Sequence, residues 1–445
     1  MNPIVAIVGR PNVGKSTLFN RLAGSQIAIV EDLPGTTRDR IFADVELAGR
    51  EMTLIDTGGL EPKPGTELSK KVKTQVEKAI AEADAIIFVV DLQDGLIEAD
   101  REIADKLRRL GKPVVLAANK ADNPQLRDAS ADFYQVGLGD PVPLSAHHGK
   151  GVYELIEKLA ETLPAAVEEA ADPEKPKLAI VGRPNVGKSM LLNAIVGQER
   201  SIVDRTAGTT RDATDTVFQH RDREIVLIDT AGIKRRGKAG TGIDYYSLVR
   251  TLRAINRCDV ALLVLDATDF IAAQDTHIAG YIKDACKGIV LLINKWDLID
   301  NTMKESYLGE VDRRMKFIAH APVMFISALT GKGVKDVIPT AMEAWRERQK
   351  QLPATVIDRL IKDAVASHAP PPKGTRRLQV IRAYQGAVNP PSFTFVVNDP
   401  ALVHFSYERY LENKLRQTFG FSGTSLKLLF KKANRRSKKI GGDIS

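Results

Sequence analysis

The sequence predicts the α/β fold class, with two similar domains whose mostly parallel sheets are covered by helices on both faces, followed by a small α+β domain. Strand and helix patterns alternate through residues 1–163 and again through residues 177–350, as expected for parallel strands joined by helical crossovers. One glycine-rich segment occurs in both stretches. At 445 residues the chain has room for about three domains.

The repeated segment reads G-R-P-N-V-G-K-S at residues 9–16 and again at residues 182–189. Each copy follows an apolar run, Ile4–Val8 or Leu178–Val181, and precedes a helical pattern. In this context the pattern G-x-x-x-x-G-K-[ST] surrounds phosphate groups with backbone N–H groups, a lysine and a hydroxyl. The predicted nucleotide-binding residues of the two loops are Gly9, Arg10, Pro11, Asn12, Val13, Gly14, Lys15, Ser16 and Thr17, and Gly182, Arg183, Pro184, Asn185, Val186, Gly187, Lys188, Ser189 and Met190.

Four further motifs recur in the same order, which indicates a duplicated domain rather than a short structural repeat. They are G-T-T-R-D at 35–39 and 208–212, D-T-[GA]-G at 56–59 and 229–232, N-K-x-D at 119–122 and 294–297, and S-A at 145–146 and 327–328. The separation of the copies grows from 173 to 182 residues along the chain, so the second copy has insertions in its later loops. The loops differ at Thr17 and Met190, and we expect Met190 to weaken the second site only modestly.

Residues of these motifs can hold Mg²⁺ and contact a γ-phosphate. An aspartate at the end of a strand can hold the ion through water, and a threonine of the G-T-T-R-D loop can complete its shell. A glycine lets a backbone N–H approach the γ-phosphate closely. The predicted Mg²⁺ ligands are Ser16, Thr37 and Asp56, and Ser189, Thr210 and Asp229. The residues predicted to act on the γ-phosphate are Lys15, Thr37 and Gly59, and Lys188, Thr210 and Gly232.

The N-K-x-D motifs predict a guanine base. Their aspartate can accept two parallel hydrogen bonds from guanine N1–H and the 2-amino group, both of which adenine lacks. We expect the asparagine to contact the other purine edge, the lysine to lie under the ring, and the alanine of S-A to donate its N–H to the guanine 6-oxygen. The residues concerned are Asn119, Lys120, Asp122, Ser145 and Ala146, and Asn294, Lys295, Asp297, Ser327 and Ala328. The alternative for each motif is a solvated turn after a strand.

The ordered motifs resemble the translation-factor class of GTPases. Two copies in tandem, followed by a basic domain, resemble the double-Era-like GTPase family, also called EngA or Der. This resemblance covers nearly the full chain. It implies binding of GTP and GDP with Mg²⁺, slow hydrolysis of GTP, and a function in assembly of the large ribosomal subunit, with rRNA as a partner. We also expect a monomer in solution.

Neither copy has the glutamine that orients the attacking water in Ras-type GTPases, because Leu60 and Ile233 stand directly after the D-x-x-G motif. Two substitutes are open: a residue donated by a partner, or a K⁺ ion between the phosphates. Asn12 and Asn185 occupy the loop position at which potassium-activated relatives carry an asparagine ligand. The alternative for both is an ordinary turn residue. We expect slow turnover that K⁺ stimulates.

The chain divides into five predicted segments. They are a first GTPase domain at 1–163, a flexible linker at 164–176, a second GTPase domain at 177–350, a KH-like domain at 353–436 and a basic, flexible tail at 437–445. The linker prediction rests on a polar, alanine-rich composition interrupted by Pro173 and Pro176, which is typical of a connecting segment.

The last segments carry the positive charge of the chain. Residues 353–445 contain 16 Lys and Arg against 6 Asp and Glu, whereas the net charge of the whole chain is +8. A concentration of positive charge favours phosphate backbones as partners, and the alternative is a solubilising tail. The predicted order α-β-β-α-β resembles a KH-type RNA-binding module. The segment G-F-S-G at 420–423 turns a helix into a strand, unlike the G-x-x-G loop of that module, so we expect Phe421 to be a core anchor.

The composition limits the expected location of the protein, and the motifs leave two alternative functions to compare. No apolar run approaches the roughly 20 residues of a membrane span, and the first strand pattern starts at Ile4, so we expect a cytoplasmic protein without a signal peptide. Cys258 and Cys286 follow no metal-binding spacing and are expected to be reduced.

One alternative function is the GTPase component of a tRNA-modification or other RNA-processing system. Another is a kinase or ATPase, against which the N-K-x-D motifs argue.

Overall fold

The structure is a computed structural model that describes residues 3–24, 42–57, 80, 83–163, 175–198, 215–230, 245–373 and 375–433. The chain forms two compact units, Met1–Ala171 with Thr241–Arg250, and Asp172–Gly240 with Thr251–Ser445. Most of the predicted linker, at 164–174, and all of the predicted tail, at 437–445, lie outside the described residues.

The first α/β domain is built on a six-stranded sheet with the strand order β2-β3-β1-β4-β5-β6. The strands are β1 Ile4–Val8, β2 Phe42–Leu47, β3 Arg50–Asp56, β4 Ala85–Asp91, β5 Val114–Asn119 and β6 Val142–Pro143. Only β2 runs antiparallel to its neighbour. All residues of β1 and β4 are buried, as expected for parallel strands covered on both faces.

Helices cover this sheet and supply its cores. They are α1 Lys15–Gly24, α2 Glu98–Leu110, α3 Pro124–Asp128 and α4 Val152–Thr162, with a 3₁₀ helix at Ala129–Val136. Leu18 and Leu22 of α1 and Leu155 and Leu159 of α4 pack into one core with alternate residues of β1 and β4. The four-residue spacing within each pair places its leucines on one helix face.

The second α/β domain repeats this architecture. Its sheet has the order β8-β9-β7-β10-β11-β12, and β8 again is the antiparallel strand. The strands are β7 Lys177–Val181, β8 Thr216–His220, β9 Arg223–Ile228, β10 Val260–Asp266, β11 Gly288–Asn294 and β12 Val323–Phe325. The helices are α5 Lys188–Gln198, α6 Tyr245–Arg257, α7 Ala273–Asp284, α8 Lys304–Arg314 and α9 Val337–Arg348. Short 3₁₀ helices lie at Trp296–Leu298, Asn301–Met303, Lys316–Ile318 and Val334–Asp336.

The C-terminal domain has the predicted α-β-β-α-β order. Its elements are α10 Ala354–Ser367, β13 Val380–Ala387, β14 Ser392–Val397, a 3₁₀ helix Pro400–Leu402, α11 Phe405–Phe419 and β15 Lys427–Lys432. β14 is central, antiparallel to β13 and parallel to β15. The first strand begins at Val380, after a tight turn in which Lys373 and Arg376 pair with each other.

The loop Gly420–Gly423 attaches this domain to the second α/β domain. The N–H of Gly423 donates to the carbonyl of His320 (2.8 Å), and the N–H of Ile289 in β11 donates to the carbonyl of Gly423 (2.8 Å). Phe421 is fully buried in the C-terminal core, which confirms that it is a core anchor. Gly423 has φ 66°, and a Cβ there would lie 2.7 Å from the Ala344 side chain, so this contact requires glycine.

A buried arginine completes the attachment. Arg348, near the end of α9, donates to Asn389 Oδ1 through Nε (3.0 Å) and Nη2 (2.7 Å), and to the carbonyl of Cys286 through Nη1 (2.7 Å). Burial lowers the pKa of Arg348. The neighbouring Glu347 accepts the N–H of Phe421 at 2.6 Å. A buried guanidinium needs such partners to offset its lost hydration, so the two domains share one interior.

Cys258 is buried, Cys286 is partly exposed, and both are free thiols. Within the part of the chain that the structure describes, no helix is both long enough and apolar enough to cross a membrane.

Replacing Phe421 with alanine should loosen the C-terminal domain. Removing a fully buried ring from a core typically costs about 3–5 kcal/mol. We expect faster amide hydrogen exchange in β14 and β15, measured by mass spectrometry on the full chain. Phe405→Ala, at a position that is about half exposed, is the matched control and should leave this exchange unchanged. Equal exchange in the Phe421→Ala and Phe405→Ala variants would contradict the anchoring role.

Candidate functional site

The sequence motifs meet at one edge of each α/β sheet. The phosphate loops follow β1 and β7, the D-T-[GA]-G motifs begin at the ends of β3 and β9, and the N-K-x-D motifs begin at the ends of β5 and β11. The carboxyl ends of parallel strands lie side by side, and ligands of such sheets bind beyond them. The fold therefore brings the described parts of these motifs together in each domain.

Each phosphate loop folds around its own lysine. Lys15 Nζ donates to the carbonyls of Gly9 (2.7 Å) and Arg10 (2.6 Å). Lys188 Nζ donates in the same way to the carbonyls of Gly182 (2.7 Å) and Arg183. The helices α1 and α5 begin at these lysines, so the N–H groups of each first helical turn and the ammonium are near one another. That combination favours a phosphate group.

A buried asparagine joins the phosphate loop to the base loop. Asn119 Nδ2 donates to the carbonyl of Val13 (2.8 Å), and Asn119 Oδ1 accepts the N–H of Ala146 (2.9 Å). The second domain repeats both bonds, from Asn294 to Val186 (2.8 Å) and from Ala328 to Asn294 (2.9 Å). In the structure these asparagine amides hold two loops together, and the alanine N–H groups bond to them.

The second glycine of each loop makes this bridge possible. Gly14 has φ 94°, and a Cβ at this residue would lie 2.3 Å from Asn119 Nδ2. Gly187 has φ 97°, and its Cβ would lie 2.2 Å from Asn294 Nδ2. A side chain at either glycine would displace the asparagine amide.

The lysine of each N-K-x-D motif forms an ion pair, whereas the aspartate is exposed. Lys120 Nζ lies 2.5 Å from Asp91 Oδ2, and Lys295 pairs with Asp266. Burial alone would raise the pKa of Asp266, but hydrogen bonds from Lys295 and Thr268 lower it. The other members of the motifs, Asp122 and Asp297, are exposed, so their carboxylates are accessible to a base.

The S-A serines shape the turn that precedes α4 and α9. Ser145 N donates to the carbonyl of Lys150 (2.8 Å), and its Oγ accepts the N–H of His148 (3.2 Å). Ser327 makes the corresponding bonds with Lys332 (3.0 Å) and Thr330 (3.1 Å). These bonds orient the following alanine N–H toward the asparagine bridge.

The described Mg²⁺-ligand candidates fit a hard divalent ion. Ser16 Oγ donates to Asp56 Oδ2 at 2.6 Å, so a hydroxyl and a carboxylate oxygen are adjacent at the start of α1. Mg²⁺ prefers such oxygen ligands together with water and phosphate. In the second domain, Asp229 has φ 53°, and its N–H donates to Asp215 Oδ1 (2.9 Å). Thr37, Gly59, Thr210 and Gly232, like Leu60 and Ile233, lie outside the described residues.

Asn12 and Asn185 fit both interpretations of their position, an ordinary turn residue and a ligand for K⁺. Asn12 has φ 67° and Asn185 has φ 66°, a left-handed conformation that asparagine tolerates. Both are exposed, and neither side chain takes part in a hydrogen bond that the structure shows among its described residues. Pro11 and Pro184 precede them, and Thr17 and Met190 are also exposed.

Sequence reasoning missed an ion-pair cluster behind each phosphate loop. Arg10 Nη2 donates to Asp94 (2.7 Å), and its Nε lies 3.4 Å from Asp100. Arg183 likewise contacts Asp269 (3.0 Å) and Asp275 (2.9 Å). The sequence carries a signal for part of it, because a D-x-x-D pattern begins at the last residue of β4 and of β10 and ends at Asp94 or Asp269. Arg10 and Arg183 were predicted only as nucleotide contacts.

The inner aspartates of these clusters also cap helices. Asp100 and Asp275 are fully buried, and each side chain accepts the N–H of the residue preceding α2 or α7. Burial raises the pKa of both carboxyls, and the backbone hydrogen bonds and the arginines oppose that rise. The cluster therefore ties each phosphate loop to the start of a neighbouring helix.

Two phosphate loops, each joined to an N-K-x-D loop, define a P-loop GTPase with two GTPase domains. A family model described as "50S ribosome-binding GTPase" matches residues 4–120 and 177–295. A second model, described as "KH-domain-like of EngA bacterial GTPase enzymes, C-terminal", matches residues 351–431. The chain hydrolyses GTP, as these matches show.

Full-length relatives identify the family. GTPase Der of Chloroflexus aggregans is 48% identical over 448 residues, which cover 98% of this chain and 99% of that protein. GTPase Der of Thermomicrobium roseum is 49% identical over 444 residues, which cover 97% and 96%. The chain therefore belongs to the EngA, or Der, family of tandem GTPases.

Removing the asparagine bridge should weaken nucleotide binding. Asn294→Ala deletes two buried hydrogen bonds and leaves the Val186 carbonyl and the Ala328 N–H unpaired, which typically costs about 1–3 kcal/mol. We expect the GDP affinity of the second site to fall about 5- to 150-fold. Trp296 follows Lys295 directly, and the only other tryptophan is Trp345, so intrinsic fluorescence can report this site. Asn193→Ala, at an exposed position on α5, is the control, and equal affinities in the two variants would contradict the bridge.

Proposed function

We propose that the protein is a GTP-dependent switch that acts in assembly of the large ribosomal subunit. The observation that carries the proposal is the shared interior of the second GTPase domain and the basic C-terminal domain. A nucleotide site and a candidate RNA-binding surface thereby belong to one compact unit. The matching family description names 50S ribosome binding. With that partner, the protein would act in the cytoplasm, and we expect it to bind as a monomer.

The nucleotide would be held by groups at the sheet edges. The phosphate loops and their lysines would bind the phosphates, and Asp122 and Asp297, which are exposed, would select guanine. Ser16 and Asp56, and Ser189 and Asp229, would hold Mg²⁺, which supplies charge neutralisation at the phosphates. We further propose that Thr37, Gly59, Thr210 and Gly232 complete these sites.

Hydrolysis in this proposal does not use a glutamine, because Leu60 and Ile233 occupy its usual position. Asn12 and Asn185 present exposed amide side chains at the phosphate loop. We propose that their oxygens help to hold a K⁺ ion. A cation there would neutralise charge as it develops on the phosphates.

The C-terminal sheet offers a basic face toward rRNA. Phe393 and Phe395 of β14 point into the core against α10 and α11, so the intervening residues face the other side. On that side Arg382, Val396 and Lys431 form one row across the three strands. Lys427 pairs with Ser392 on the same face. Arg382, Lys427 and Lys431 are exposed, as a phosphate-binding surface requires.

Strand β11 gives a direct connection between this domain and the nucleotide. Ile289, at its start, bonds to Gly423 of the C-terminal domain, and Asn294, at its end, holds the phosphate loop. The two contacts are separated by one fully buried strand. A buried strand transmits displacement because close-packed interiors deform little.

Co-sedimentation of the full chain with purified ribosomal subunits tests the assembly function. We expect retention on the large subunit with a non-hydrolysable GTP analogue and little retention with GDP, because the γ-phosphate orders the loops that sense it.

Arg382→Gln with Lys431→Gln should weaken retention about tenfold or more and reduce the salt dependence by about two phosphate contacts. Arg359→Gln with Lys362→Gln removes the same charge from exposed positions on α10 and is the control. Absence of binding to either subunit in both states would contradict the proposal.

The cation dependence of turnover tests the proposed K⁺ sites. We expect GTP hydrolysis to be about tenfold or more faster in KCl than in NaCl at equal ionic strength, since one stabilising group at developing charge is typically worth that much. The double substitution Asn12→Ala and Asn185→Ala should remove this difference while leaving GDP binding in place. Equal rates in the two salts for the unmodified protein would count against K⁺.

A further inference from the structure

A cavity of about 310 Å³ lies between the β8–β9 hairpin and α9 of the second GTPase domain. The hairpin contributes residues 220–223, and the helix contributes Met342, which is buried, and Arg346, which is exposed. The cavity is remote from the nucleotide loops, because the turn of the hairpin lies at the opposite end of β9 from Asp229. It is therefore a separate site of the same unit.

The lining of this cavity is strongly cationic. Arg221, Arg223 and Arg346 are exposed, and none of them has an ion pair with a carboxylate that the structure shows within its described ranges. The single acidic residue of the lining is Asp222, and His220 completes the hairpin side. Arg223 lies over the Trp345 ring, 5.1 Å from its centroid, so one guanidinium is held in place by stacking. Three guanidinium groups around one depression repel one another, and a bound anion would offset that repulsion.

The hairpin of the first GTPase domain folds with only one of the two hairpin arginines. By the offset of 173 residues, Leu47, Ala48, Gly49 and Arg50 correspond to residues 220–223. The first turn residue has the same left-handed backbone conformation in both copies, since Ala48 has φ 51° and Arg221 has φ 53°. In the first domain the arginine Nη1 instead donates to the carbonyls of Ala160 (2.6 Å) and Leu163 (3.2 Å) at the end of α4. In the second copy Arg223 stacks on Trp345 of α9, and Arg221 adds a guanidinium group where the first copy has Ala48.

We propose that this cavity is a binding site for a phosphate group of an RNA backbone. The planar fork of arginine matches phosphate geometry, and three forks can surround one phosphodiester. The inference rests on the proposed ribosomal function, which supplies RNA as the source of the phosphate. It gives the second GTPase domain its own RNA contact, distinct from the basic sheet face of the C-terminal domain.

Salt-dependent binding to large ribosomal subunits tests this site. The full chain, bound to the GTP analogue, is titrated between about 50 and 200 mM KCl, the range in which phosphate contacts dominate the affinity. Arg221→Gln with Arg346→Gln should lower the affinity about tenfold and reduce the salt slope by about one, because one phosphate contact is lost. Arg223 is left intact because it packs on Trp345. The control pair, Arg313→Gln with Lys316→Gln, lies near the opposite edge of the same sheet, at exposed positions, and should behave like the unmodified protein.

The outcomes separate the site from the function on which it rests. Subunit binding by the unmodified protein that is unchanged in the Arg221/Arg346 variant would overturn the site alone. Failure of the unmodified protein to bind the subunit would overturn the ribosomal function and the site together. A second arm measures thermal stabilisation by inorganic phosphate. Stabilisation that the variant loses, with subunit affinity unaltered, would identify a small-anion site and overturn the RNA assignment.

Discussion

Each nucleotide site depends on a buried asparagine amide that joins two loops from different strands. The sheet edge brings the phosphate loop and the base loop close together, but proximity alone does not fix their relative position. In the first domain, Asn119 donates to one loop and accepts from the other, and Asn294 does the same in the second. Because the amide has one donor group and one acceptor group available for these two partners, each loop limits the other. The glycines at 14 and 187 are required because a side chain would occupy the position of the amide.

In the second GTPase domain, strand β11 connects the asparagine bridge to the C-terminal domain. Strand β11 starts beside Gly423 of the C-terminal domain and ends at Asn294. Arg348 and Glu347 secure the same junction with side-chain hydrogen bonds to Asn389 and to the Phe421 N–H. A buried guanidinium with satisfied partners is costly to separate from them. The nucleotide site and the basic sheet face are therefore parts of one packed body rather than two modules connected by a flexible segment.

Duplication has preserved the nucleotide-binding parts and altered the periphery. Both copies keep the lysine bonds and the asparagine bridge with similar distances, and both keep the arginine–aspartate ion pairs. The copies diverge at the hairpin opposite the site, where Arg50 binds carbonyls of a helix end and Arg223 stacks on Trp345. The difference is possible because hairpin side chains contribute little to the nucleotide geometry. A duplicated domain can therefore acquire a new surface without losing its original chemistry.

The sequence by itself determined the fold class, the two nucleotide-binding loops, the order of the C-terminal elements and the anchoring of Phe421. These features follow from local patterns, namely short motifs, strand and helix periodicity, and a turn that needs glycine. Only the tertiary structure decided what Asn119 and Arg10 contact, since their partners lie 106 and 84 residues away along the chain. Likewise, nothing local in the sequence of α9 distinguishes the buried Arg348 from the exposed Arg346. Such choices depend on which buried polar groups need partners once the elements are packed, and that requirement exists only in the folded chain.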